Sequence, residues 1–192
     1  MVRPLLSAAV AENAAWCDVF CRISGVSGVF GPHAWTAPAP TPQFYPDAVT
    51  LSPDATAADI LPFVDASAGC SVKDSFASLD LPGFEVLFSA TWLHFPVLSS
   101  SGWPAAASPD PSFVHLGGPT VAHRGPAAVG LWNFTGDDWA GAVAGAAAAF
   151  PGLPIVGYEH GDELASALAY GATPLGELRV WVATCQNGPH DA

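Results

Sequence analysis

The chain has 192 residues, 51% hydrophobic and only 11% charged, enough apolar material to bury roughly 70% of its unfolded surface and too much to stay disordered. Its net charge of −12 leaves five basic residues, Arg3, Arg22, Lys73, Arg124 and Arg179, too few for a stripe along a phosphate backbone, so nucleic acid is not an expected partner. No apolar run reaches the ~20 residues that cross a bilayer, and Glu12 interrupts the first apolar patch, which reads as an amphipathic helix rather than a secretory signal.

The four cysteines, Cys17, Cys21, Cys70 and Cys185, show no CxxC and no companion histidine at zinc spacing. They read as reduced thiols acting as small hydrophobes, so no metal and no membrane partner is expected and a cytoplasmic location is. Cys70 as a nucleophile has no activating base nearby in the sequence.

Taken in order, residues 4–24 predict a helix with Leu5, Ala9, Trp16, Phe20 and Ile23 on one face. Glu12 projects into the middle of that stripe with Asn13 beside it. Either the helix turns Glu12 to water, or the carboxylate is paired or used. Residues 25–46, rich in Gly and Pro, read as irregular; their His33, Trp35, Phe44 and Tyr45 suit either a binding wall or a cover over the core. A strand at 47–52 leads through Asp54 or Thr56 as cap into a helix over 56–65. Residues 70–81 alternate weakly, with Lys73 and Asp74 expected outside.

Phe84 to Phe95 is the longest apolar strand and reads as central, buried on both faces, with His94 near its end. Residues 96–126 form a second Pro/Gly/Ser-rich region, in which His123-Arg124-Gly125 is a local anion contact. A strand at 127–134 is followed by a cap at Thr135 to Asp138 and a helix over 139–150. A short strand around Ile155 and Val156, a helix over 162–170 capped by Asp162 and stopped by Gly171, and a strand at 178–182 complete the chain. The order of elements predicts one mixed α/β domain: an N-terminal helix and aromatic loop to residue 45, a core over 46–182, and a tail over 183–192.

The run VGLWNF, helix 139–150, PIVGYE, helix 162–170 and ELRVWV resembles the closing half of the GNAT superfamily of acyl-CoA-dependent N-acyltransferases, and DAVTL with FEVLFSATWLHF resembles its opening half, over residues 45–182. The phrases GYEHGDEL, ALAYGATPLGELRVW and ENAAW resemble small actinobacterial GNAT-like proteins. The resemblance implies a mixed central sheet flanked by helices, with an extra N-terminal helix here. It also implies a helix start, after the fourth strand, that holds the coenzyme A pyrophosphate on backbone amides. That place reads Phe134-Thr135-Gly136-Asp137-Asp138, without the usual basic residue and with two carboxylates that can fill the anion site themselves. The family's thiolate-protonating tyrosine falls at Ala167, and Tyr170 is out of register.

Two functions of different class follow. One is an acyltransferase that moves an acyl group from acetyl-CoA or another acyl thioester to a small amine, with Glu159, then Glu12 or His160, as base and Tyr158 as proton donor or orienting group. Asn13, His33, Trp35, Trp92, His94, Trp132 and Asn133 would then line the substrate, and Thr135 and Gly136 the donor. The other is a binding module on the same scaffold that has lost the donor and recognises its ligand through loops 29–45 and 92–103. Such a module would take a small ligand or a partner protein, and a homodimer is a further expected assembly.

Overall fold

The computed structural model describes residues 2–184. Helix α1 (Val2–Ile23) leads into β1 (Val29–Phe30), β2 (Ala34–Thr36) and β3 (Ala48–Thr50). Two 3-10 turns, Ala57–Asp59 and Leu61–Phe63, precede β4 (Ser71–Asp74) and the long β5 (Phe84–Phe95). Then come β6 (Ala106–Ala107), β7 (Phe113–Gly117), β8 (Thr120–Arg124) and β9 (Val129–Trp132). Helix α2 (Trp139–Ala149), β10 (Ile155–Glu159), α3 (Gly161–Tyr170) and β11 (Thr173–Ala183) close the chain, a mixed α/β protein. None of the described helices is long and apolar enough to cross a membrane.

The chain divides into two compact units, Met1–Trp16 with Ala90–Gly176 and Cys17–Ser89 with Glu177–Ala192. In the first, strands run in the order β5-β10-β9-β8-β7-β6. All neighbours are antiparallel except β9 and β10, whose parallel pairing requires a crossover, and α2 supplies it. Because successive strand residues point to opposite faces, Leu93, Phe95, Val129, Leu131 and Ile155 share one face, where they form a core with Val143 and Ala146 of α2 and Ala167 of α3. Gly and Ala throughout α2 allow its close approach.

In the second unit the order is β1-β2-β3-β4-β11, with only β3 and β4 parallel. Ile60, Val72, Leu79 and Leu81 are central to its core. Asp47 holds this unit's loops, accepting from Thr41 N at 2.9 Å and from Ser71 N at 2.8 Å.

The structure departs from the sequence reading at several elements. The helix expected over 56–65 is two 3-10 turns, because Pro62 has no N–H to give and its ring opposes the preceding turn. Thr56 does sit at the start, and its N and Oγ1 each donate to Asp59 Oδ2 at 2.8 Å. Residues 25–46 hold the β1–β2 pair, and 96–126 hold the β7–β8 hairpin, whose turn is Gly117-Gly118-Pro119 with both glycines at positive φ (128° and 51°). Only the second half of β5 is buried; Val86 and Leu87 are exposed. Lys73 and Asp74 are buried instead of exposed, Asp74 accepting from Leu79 N at 2.9 Å. Ile23 lies outside the core that the apolar face of its helix was expected to join. Helix α3 starts after His160 with no side-chain cap, so Asp162 sits in the first turn, while Gly171 ends the helix at φ 112° as expected.

Cys17, Cys21 and Cys70 are buried thiols outside any disulfide; Cys185 and most of the expected tail lie outside the described residues. Burial, with Asp47 close by, pushes the Cys70 thiol up to about 12, which removes it as a nucleophile near neutral pH.

Candidate functional site

The first unit carries two polar groups, one on each face of its sheet. On the α1 face, the apolar stripe of the helix delivers Glu12 into the interior, where it is 0% exposed. Its Oε1 lies 2.6 Å from His123 Nδ1 and accepts from Trp132 Nε1 at 3.3 Å. Among the described residues Oε2 has no partner of hydrogen-bonding geometry, only the backbone of Gly130 nearby. Desolvation raises the Glu12 carboxyl above its usual range, against the opposing pull of His123, Trp132 and Gly130. Gly125 and Gly130 are required here, since a Cβ at either would overlap Glu12. His123 is thus a buried partner of Glu12, and Arg124 beside it is exposed, so the pair does not form the anion contact that His-Arg-Gly suggested.

Aromatic rings continue from that group. Trp16 is tilted against His123 at 5.4 Å, and Tyr158 meets Trp132 at 5.6 Å and Trp92 edge-on at 5.3 Å. Asn13 is buried on the same helix, and His94 is half-buried, its imidazole pushed down by desolvation. Glu12, Trp132, Tyr158 and Trp92 are therefore brought together.

Glu159 faces the other way. It ends β10 opposite Thr91, one residue past Tyr158 and so on the α2–α3 face. Burial first, and Glu163 of α3 second, push its carboxyl up to about 7. The parallel ladder beside it holds at two positions, Ile155 with Val129 and Val156 with Gly130, and does not continue to Leu131 and Trp132 although both strands do. Carboxyl groups that titrate near neutrality in such surroundings are suited to proton transfer.

The start of α2 adjoins the same face. Asp138 is its N-cap: Oδ1 accepts from Gly141 N at 2.9 Å and Oδ2 from Trp103 Nε1 at 2.6 Å. Trp103 N also donates to Gly141 O at 2.9 Å, and its ring stacks on Phe134, itself stacked on Trp139. Thr135 and Gly136 are exposed in the preceding loop, after Asn133, which is exposed at φ 54°. His160 is exposed between β10 and α3. His33 and Trp35 belong to the second unit, where Trp35 Nε1 donates to Asp18 at 3.0 Å.

Sequence reasoning did not find His123 as the partner of Glu12, nor Trp103 as the partner of Asp138. Among the described residues no group of three His, Cys, Asp or Glu side chains is placed to hold a metal ion. Comparison with protein-family models, with curated proteins and with solved structures found no match to this chain.

Proposed function

We propose that the protein is a divergent GNAT-type acyltransferase that moves an acyl group from a thioester donor to a small amine. The observation that carries this reading is Glu159: a carboxyl titrating at about 7 at the end of β10, beside the point where the parallel β9–β10 ladder stops. In the reaction the amine nitrogen bonds the acyl carbon, the carbon–sulfur bond breaks and the sulfur leaves as a thiolate that takes its proton from solvent. Glu159 takes the proton that the amine loses, and the strand ends offer backbone donors for the thioester oxygen. Glu12 and Tyr158 occupy the opposite face, where Glu12 holds Trp132 and Tyr158 packs on it. Thr135 and Gly136, exposed in the loop before α2, would meet the donor, although the carboxylates of Asp137 and Asp138 beside them do not fit a pyrophosphate.

The test is isothermal titration with coenzyme A, acetyl-CoA and a longer acyl-CoA, followed by thiol release across a panel of amines. Saturable donor binding is expected, with a release rate that rises through an apparent pKa of about 7 and falls ~10²–10⁴-fold in Glu159→Gln. Failure of every thioester to bind or turn over would refute the acyltransferase. A second reading, a binding module that has lost its donor, is favoured by the Asp138 cap and the Trp103 indole upon it. A saturable rise in melting temperature with any acyl thioester would count against that second reading.

A further inference from the structure

Strand β1 is the outermost of its unit. Val29 and Phe30 pair with Thr36 and Trp35 of β2, and among the described residues no strand lies along the other edge. The unpaired backbone groups of such an edge can accept a further strand. The side chains around it are exposed as well: Val29 at 62%, Phe30 at 52%, and Phe63 of the second 3-10 turn at 57%. Two clefts adjoin this edge, one of about 360 Å³ that includes Pro38 and Asp65, the other of about 350 Å³ that includes His33 and Asp59. Val29 and Phe63 line both, so the clefts are neighbours. Each has mainly apolar walls and one carboxylate, and neither contains a lysine or arginine. The hydrogen bonds from Thr56 hold the Asp59 carboxyl below its usual range, so it stays ionised.

We infer that this edge receives an extended segment of a basic polypeptide, which adds a strand to β1 and seats alternate side chains in the two clefts. Alternate residues of a strand lie on one side, ~6.6 Å apart, which matches two adjoining clefts that each accept a single side chain. A lysine or arginine satisfies both parts of such a cleft: its stem covers the apolar wall and its head reaches the carboxylate. The net charge of −12 steers a cationic partner toward the chain and an acidic one away.

The experiment is fluorescence anisotropy of a labelled octapeptide of alternating lysine and valine. Its controls are the glutamate–valine version and a lysine–valine peptide N-methylated at alternate residues. Expected is saturable binding of the lysine peptide, at least about tenfold tighter than either control. Asp65→Asn and, separately, Val29→Lys, both exposed positions, should each weaken binding about tenfold while the melting temperature stays in place. No binding of the lysine peptide, or equal binding of the glutamate peptide, would overturn the proposal. So would a concentration-dependent dimer in sedimentation that Val29→Lys abolishes, since the occupant would then be a second copy of this chain.

Discussion

Replacing Glu12 by alanine tests the interior of the first unit most directly. The change strips Oε1 from His123, 2.6 Å away, and from Trp132 Nε1, 3.3 Å away, at a site with no access to water. Two buried polar groups are left unpaired at about 1–3 kcal/mol each, and the space vacated by the carboxylate and its methylenes adds to that. A loss of about 3–5 kcal/mol follows, a large share of the 5–15 kcal/mol of a typical domain. For a chain of 192 residues it lowers the melting temperature by about 6–20 °C. Glu12→Gln keeps the volume and an acceptor oxygen and removes an ionisable group whose charged form burial opposes, so it should lose about 1 kcal/mol or less. The assay is urea unfolding followed by tryptophan fluorescence, with Trp16 and Trp132 next to the site. If the alanine variant lost no more stability than the glutamine variant, Glu12 would not be holding His123 and Trp132, and the account of the α1 face would be wrong.

Four further outcomes are expected. The folded Glu159 carboxyl titrates at about 7 against a reference of 4.5, so the folded state binds that proton more tightly. Its contribution to stability is complete below pH 4.5 and is lost as pH rises through about 7. Glu159→Gln should remove this fall from the urea midpoint measured across that range, and unchanged slopes would sink the assignment. Gly130→Ala forces a methyl group onto Glu12 and Trp132 and should destabilise by about 1–3 kcal/mol in thermal melts. Asp138→Ala removes a helix cap and the acceptor of Trp103, a loss of about 0.5–2 kcal/mol. A double-mutant cycle with Trp103→Phe should show coupling of at least about 0.5 kcal/mol, and additivity would dissolve the pair. Tyr170→Phe gives up the 2.7 Å bond to Pro96 O and should lower stability by about 1 kcal/mol in the same urea assay.

Elements marked by local chemistry were legible in the sequence. The stripe of α1, the stop at Gly171, the cap region before α2 and the apolar run of β5 each rest on residues close to one another along the chain. What could not be read depended on distant partners. Glu12 is buried because His123 and Trp132 meet it, 111 and 120 positions away, and nothing near residue 12 announces either. The hairpin at 113–124 was hidden because the prolines and glycines around it suggested loop, while its own alternation is short and interrupted by histidines. Half of β5 is exposed because apolar composition reports that a strand can be buried and is silent on what lies over each end. At the candidate site, Glu159 was readable as a polar strand end; its titration near 7 arises from burial and from Glu163, reached only once α3 has folded back.

The separation of 111 residues between Glu12 and His123 also sets a timetable for a chain made from its N-terminus. At 5–20 residues per second, α1 leaves the ribosome about 6–22 s before its partner on β8 exists. Through that interval the apolar stripe of α1 lacks the partners that His123 and Trp132 give its centre. A carboxylate in the middle of the stripe is then an asset, because an ionised Glu12 keeps the nascent helix from joining other exposed apolar surfaces. The same side chain gives up its water when His123 arrives, so one residue guards the helix early in synthesis and fastens it at the end.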